Sequence, residues 1–426
     1  MRQSLFVAKL LIRSRIARLL PTVRRLTDGG ARFLHYYSDR ILASPQAEIR
    51  QAADLLLARA PDVLDLASGS PTFDIVPSAS TKLPADRRDW SGPWGSAELR
   101  QAIADKLKSE PIPRISPADE VLVTHGASGA FSTVLETFIN PSDRVVLFDP
   151  TSPLFDLFLR YRRARISWLP TWMEDGYTRF RDEALAKLVR GARMIVLATP
   201  NNPTGGLVSA EDLDRITWWA ERRDVLIVND TTFDSYVYEA RPPSIGTLPR
   251  ARERTITIGS VSKAYALASM RVGWLAGHRH LVRPCSVAAS LQTPFVPALC
   301  QQVALTALRE CRNSLEAIHK EFESRRRYAF ERLEAMGLKP AWPSGAFFCW
   351  VPVKELALDG QEFAERLLLS KKVLVWPGEL FGPSGSDYIR LSYAAEDGRL
   401  REGLARLVDF VRDLREKQPT ALNQAA

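Results

Sequence analysis

The chain has 426 residues, long enough for a large core, and its apolar fraction of 46% and charged fraction of 25% are those of ordinary globular proteins. This excludes a collagen-like or wholly disordered chain, and no run reaches the ~20 apolar residues of a spanning helix, since even Leu5 to Ile12 is broken by Lys9. The formal charge of +9 does not argue for nucleic acid, because Arg2, Lys9, Arg13, Arg15, Arg18, Arg24 and Arg25 all precede the first acidic residue, Asp28, and the rest is nearly neutral.

Residues 1–45 form a basic amphipathic arm in which Leu5, Phe6, Leu10, Leu11, Ile16, Leu19 and Leu20 fall near helical spacing. It suits an anionic membrane surface, an organellar presequence, or a helix packed on the body or on a partner copy. The last is favoured, since most amphipathic helices bury one face. A secretory leader is not expected, because no uninterrupted apolar stretch precedes Arg13.

From about Pro117, short apolar runs alternate with helical patterns. The runs are Val121 to Thr124, Arg144 to Phe148, Ala164 to Leu169, Met194 to Ala198, Val225 to Asn229, Thr255 to Gly259 and Val272 to Ala276. Stretches such as Ser128 to Ile139 and Ala210 to Arg222 are long enough for crossover helices, which predicts an α/β fold with a mostly parallel sheet covered by helices on both faces. From about Ser314 a long charged helix with Lys320, Arg325, Arg326 and Arg327 leads to a strand near Gly345 to Val353, giving a smaller α+β domain completed by the N-terminal third. The expected division is the arm at 1–45, the N-terminal part of the small domain at 46–90, the large domain at 91–312, the C-terminal small domain at 313–416, and a frayed tail at 417–426. Cys285, Cys300, Cys311 and Cys349 include no C-x-x-C pair, so neither a metal site nor a disulfide scaffold is expected, and a reducing cytoplasm is the simplest setting.

Ligands of such sheets bind beyond the carboxyl ends of the strands, so the residues just after each run carry the chemistry. After the first comes Gly126-Ala127-Ser128-Gly129-Ala130, a small-residue turn opening a helix, with free N–H groups for a phosphate. After the fourth comes Pro200 to Gly205, where the Asn202 amide can donate to a phenolic oxygen; after the fifth comes Asp230; after the sixth come Ser260, Val261, Ser262 and Lys263. Each piece alone is ordinary: a cap, a turn, an N-cap carboxylate, a solvated lysine. In this order they suit pyridoxal phosphate, which needs an amine for a Schiff base and a carboxylate to keep its pyridine nitrogen protonated. Lys263 and Asp230 supply these, with Ala127, Ser128, Ser260 and Arg271 for the phosphate. The displaced Lys263 amine can then shuttle the proton from Cα.

From about Leu64 onward the sequence resembles the class I/II aminotransferases, fold type I pyridoxal-phosphate enzymes of the aspartate aminotransferase superfamily. Gly259 to Leu267, continuing through Ser269-Met270-Arg271-Val272-Gly273-Trp274, is similar to the family's lysine signature, with the arginine eight residues on. Pro200 to Gly205, Asp230 and Gly126 to Ala130 match its N-P-T-G element, ring-nitrogen aspartate and phosphate turn. Ala67 to Phe73 resembles a G-x-P-x-F loop whose glycine, here Gly69, lies near the substrate carboxylate, and Tyr388 to Tyr393 resembles the segment whose arginine, here Arg390, forks it. Three aromatic positions depart from the pattern: Trp90 replaces a tyrosine, Ser152, with Phe155 nearby, replaces the ring that stacks on the cofactor, and Phe233 replaces a tyrosine that bonds O3′. Losing that phenol raises the pKa of the internal aldimine.

The resemblance implies a homodimer with the cofactor at the subunit interface, Trp90 arriving from the partner, Asn202 bonding O3′ and the substrate carboxylate, and amino-group transfer between an L-amino acid and a 2-oxo acid. The alternative is another reaction of the same cofactor on an amino acid: β- or γ-elimination, cyclisation, decarboxylation or racemisation. Similar domains also serve as sensors behind winged-helix modules, but the region before Leu64 lacks a helix-turn-helix pattern and no nucleic-acid partner is expected. The roles of His35, Tyr36 and Tyr37 are left open.

Overall fold

Six of the seven apolar runs become strands whose β-branched and aliphatic side chains are buried on both faces of a sheet, where alternation gives way to continuous hydrophobicity; the run at Ala164 to Leu169 forms a half-buried edge strand. A computed structural model of the chain describes residues 60, 62–71, 73, 92–108, 115–177, 179–248 and 250–416. Its strands are β1 (Leu64–Asp65), β2 (Val121–Thr124), β3 (Arg144–Asp149), β4 (Arg165–Pro170), β5 (Ala192–Ala198), β6 (Leu226–Asp230), β7 (Thr255–Ser260), β8 (Gly273–Gly277), β9 (Phe348–Pro352), β10 (Val373–Leu374), β11 (Trp376–Pro377) and β12 (Tyr388–Ser392). Seven of them form one sheet in the order β2-β8-β7-β6-β5-β3-β4. Only β8 runs antiparallel to its neighbours. The predicted mostly parallel, seven-stranded sheet is therefore present.

Period-two alternation divides its side chains between two cores. Val145 and Leu147 of β3 join Val196, Val228 and Ile258 on one face, with Phe131 and Val134 of the helix Gly126–Phe138. Val146 and Phe148 point the other way, with Ile195, Leu197 and Ile227. In chain order the helices are α1 (Ala97–Lys108), α2 (Gly126–Phe138), α3 (Pro153–Tyr161), α4 (Asp182–Leu188), α5 (Ala210–Arg223), α6 (Arg279–Gln292), α7 (Ala298–Glu310), α8 (Arg312–Ala335), α9 (Gly360–Lys371) and α10 (Asp397–Glu416). α5 shows how sequence sets such a boundary. Ser209 caps it by accepting from the Asp212 amide at 3.1 Å, and Asp224, at φ 52°, ends it in the left-handed region.

A second body is built from the antiparallel sheet β11-β12-β9 and the parallel pair β1-β10. Its core joins Leu66 and Phe322 to Phe347, Phe348, Ile389, Leu391 and Leu404. The Leu64↔Val373 pairing brings an early segment beside a late one. The arm, His35, Tyr36, Tyr37, Trp90 and the tail, for which the sequence gives expectations, lie outside the described residues. Among those described, no helix is long and apolar enough to cross a membrane, and no cluster of His, Cys, Asp and Glu suits a metal ion.

Candidate active site

The carboxyl ends of β5, β6 and β7 lie side by side, with Ala198 level with Asp230 and Asp230 level with Ile258. They open into a cavity of about 640 Å³, within the ordinary range for small-molecule sites. Its wall includes Gly69, Ala127, Ser128, Asn202, Asp230, Phe233, Ser260, Lys263, Arg271 and Arg390. The sequence picked all of these; Gly126 adjoins the wall, and Trp90 lies outside the described residues.

One end of the cavity suits an anion. The chain leaves β2 through Gly126 at φ 71° and enters α2, whose N-cap, His125, makes no side-chain capping bond. The first intrahelical bond runs from the Gly129 amide to the His125 carbonyl, at 3.3 Å, which leaves the Ala127 and Ser128 amides available at the positive end of the helix. Arg271 donates to Ser128 Oγ at 3.0 Å and to the Ala268 carbonyl at 3.0 Å. An added Cβ at Gly126 would lie 2.7 Å from Nη2 and would displace the guanidinium, while the positive φ itself favours glycine. Burial, and then the Arg271 charge, push the His125 imidazole below its usual pKa.

The centre suits a protonated ring. Asp230 Oδ1 accepts from the Thr232 amide at 2.8 Å and from the Thr232 hydroxyl, and Asp230 forms no ion pair among the described residues. Burial pushes its carboxyl up to about 6, against the opposing pull of the Thr232 bonds and the Lys263 charge. A shielded carboxylate held this way is completed by a cationic N–H. Lys263 follows β7, and its Nζ lies 3.5 Å from Ser70 Oγ. The Tyr236 hydroxyl donates to the Lys263 carbonyl at 3.0 Å and fixes the turn that carries the amine.

At the other end Arg390 of β12 is buried and oriented. Its Nη1 donates to Asn202 Oδ1 at 2.8 Å and its Nη2 to the Ala67 carbonyl, while its guanidinium lies 4.2 Å from the Phe348 ring centroid. The Ala67–Ser70 strap is itself held by Asp65 Oδ1, which accepts from the Ala67 and Ser68 amides at 2.9 and 2.8 Å. Gly69 faces Phe348, whose ring a Cβ would approach to 3.3 Å.

Phe233 lines the cavity with its ring edge-on to Phe347 and Phe348, at 5.2 and 5.4 Å. Phe155 does not line it: its ring is fully buried against Phe131 at 4.9 Å, because on α3 it faces the sheet. Ser152, Leu154, Leu157 and Phe158 reach the cavity instead. Ser70, Thr232, Trp376 and Leu380 also line it and were not singled out from the sequence. Residues three and four apart on α3 share a face, which groups Leu154, Leu157 and Phe158 as it groups Phe155 and Leu159, and the packing of the helix decides which group meets the cavity.

Pyridoxal phosphate fits these features: the helix end with Arg271 and Ser260 for its phosphate, the shielded Asp230 for its ring nitrogen, and the amine of Lys263 on the same cavity. Comparisons with known proteins agree. The family described as "Aminotransferase class I and II" matches residues 61–407. The chain is 30% identical to an aspartate aminotransferase of Pyrococcus abyssi, covering 88% of this chain and 98% of that one, and 30% identical to an aromatic-amino-acid aminotransferase of Thermococcus litoralis, with the same coverages. A solved aspartate aminotransferase of Thermotoga maritima superposes with a TM-score of 0.80 at 29% identity, covering 88% of this chain and 100% of that one. The chain belongs to the class I and II aminotransferases, enzymes that move an amino group between amino acids and 2-oxo acids with pyridoxal phosphate.

Proposed function

We propose that Lys263 is the covalent anchor of the cofactor and the proton carrier of the transfer, and that Asp230, Arg271 and Arg390 divide the remaining work among them. The observation that carries this reading is the convergence of an amine, a carboxylate, an anion cradle and a buried guanidinium on one cavity. When bound, pyridoxal phosphate supplies an electron sink that lets an amino acid lose its α-proton. The negative charge of Asp230 keeps a proton on the ring nitrogen, and the Thr232 bonds hold that carboxylate in place. The N-terminus of α2, Ser128, Ser260 and Arg271 bind the phosphate and set the depth of the ring. Arg390, steadied by Asn202 and Ala67, grips the substrate α-carboxylate bidentately, with Gly69 leaving room for the strap beside it. Asn202 bonds O3′ and that carboxylate. Lys263 Nζ would take the α-proton and deliver it to the C4′ carbon of the cofactor.

Transfer and elimination differ in stoichiometry. With an amino acid and a 2-oxo acid acceptor, the purified protein is expected to form one new amino acid per 2-oxo acid released from the donor. Ammonia release without an acceptor would replace this reading with elimination.

Phe233 leaves O3′ without a phenol donor. We expect Phe233→Tyr to lower the pH midpoint of the visible cofactor band by about one unit, because a donor to the phenolate favours the unprotonated form. An unchanged midpoint in a spectrophotometric titration would remove Phe233 from this role.

A homodimer is part of the same proposal. Val287 and Leu291 on α6 are 60% and 82% exposed, and Phe295 and Leu299 continue the patch onto α7. Phe295 also adjoins the groove behind Ser128, so a second copy covering this face abuts the phosphate end, and Trp90 is assigned to the site of the partner. We take residues 91–312 as the cofactor domain and 46–90 with 313–416 as the small domain. Four free thiols suit a cytoplasmic setting.

A further inference from the structure

One wall of the cavity has no role in holding the cofactor or the α-carboxylate. α3 starts four residues after β3 ends, and Leu154, Leu157 and Phe158 lie on its cavity side while Phe155 and Leu159 are buried in the core. Facing them are Trp376 of β11 and Leu380 of the one-turn helix Gly378–Phe381. All five are only partly buried and line the cavity, with Leu154 and Phe158 also packing against the sheet core. The two sides are fastened together where α3 begins. The Thr151 amide donates to the Phe381 carbonyl at 2.8 Å, and the Ser384 hydroxyl donates to Asp149 at 2.9 Å. Asp149 also fills the space that a Cβ at Gly382 would need. The separation of the walls is therefore set by the backbone of the fold, and a slot of fixed width discriminates by size.

The charges on the rim point the same way. Among the described lining residues the cations are Lys263, Arg271 and Arg390. Arg271 is bound to Ser128 at the phosphate end, Arg390 is bound to Asn202 and Ala67 at the carboxylate end, and Lys263 stands at the reacting centre. Asp65 is occupied by the amides of its own strap. A second carboxylate on the donor would be desolvated against leucine, phenylalanine and tryptophan.

We propose that this slot takes the donor's side chain and selects a large apolar one, aromatic or branched aliphatic, with Leu154, Leu157, Phe158, Trp376 and Leu380 as its specificity residues. The proposal rests on the transfer reading above. The test mixes the holoenzyme with L-phenylalanine, L-leucine, L-alanine, L-aspartate or L-arginine and follows conversion of the cofactor spectrum to its amine form. Phenylalanine or leucine is expected to exceed alanine and aspartate in kcat/KM by about a hundredfold. Leu157→Ala is expected to cut the preference for phenylalanine over alanine about tenfold. Independently of turnover, calorimetry is expected to show 3-phenylpropanoate binding more tightly than succinate. Faster conversion with aspartate or arginine, or tighter binding of succinate, overturns the assignment. Conversion by no donor together with tight binding of 3-phenylpropanoate overturns the transfer reading and upholds the slot.

Discussion

Replacing Lys263 by alanine is expected to lower turnover by about 10⁴-fold or more and to abolish the visible band of the cofactor, because the proposed covalent anchor and the proposed proton carrier are the same Nζ. The variant should still bind pyridoxal phosphate without a covalent bond. The cradle at the start of α2, with Arg271 bonded to Ser128, does not depend on the lysine side chain, and the Tyr236 bond is to the Lys263 carbonyl. Equilibrium dialysis of the variant with the cofactor, followed by spectra and rates, separates the two properties. Retention of both the band and turnover would refute the assignment of Lys263.

The second large effect is expected at Asp230. Asp230→Asn keeps the shape and the capacity to accept from Thr232 but removes the charge that holds the ring proton, and kcat should fall about a hundredfold or more. The pH dependence has a definite sign. In the cofactor-free protein, burial raises this carboxyl to about 6, so lowering the pH through 6 neutralises it. Cofactor affinity should then fall as pH falls, by up to about tenfold per unit below 6, and the asparagine variant should lose this slope. Stability of the cofactor-free chain moves in the opposite direction. The folded protein holds the proton more tightly than the unfolded chain, so this contribution is present below about pH 4 and is lost as pH rises through 6. Titrations of cofactor affinity between pH 5 and 7, and melts of the cofactor-free protein over the same range, read both. A flat affinity profile in the wild type would mean that Asp230 does not face the ring nitrogen.

The sheet was legible because its strands, the edge strand β4 excepted, are buried on both faces. A parallel strand between helices has no polar face, so runs such as Val145 to Phe148 and Ile195 to Leu197 stand out as unbroken apolar stretches. Its edges were less sharp. β5 starts at Ala192, two residues before the apolar run at Met194, because Arg193 points to solvent within the strand. The residues picked out after the strands lie around one cavity because the carboxyl ends of parallel strands must open on the same side. What escaped the sequence depends on packing between distant segments. That Phe155 faces Phe131 while Phe158 reaches the cavity depends on how α3 rotates against the sheet. Trp376 and Leu380 arrive from more than a hundred residues after Lys263, and no spacing rule connects them to it. Thr232 acts through a local bond to Asp230, a turn pattern too common to single out.

Reductive trapping followed by peptide mapping tests the central claim most directly. Borohydride treatment of the yellow holoenzyme, digestion and mass spectrometry are predicted to find the pyridoxyl group on the peptide containing Lys263 and on no other. A pyridoxyl group on a different lysine, or a reduced protein that carries none, would contradict the account.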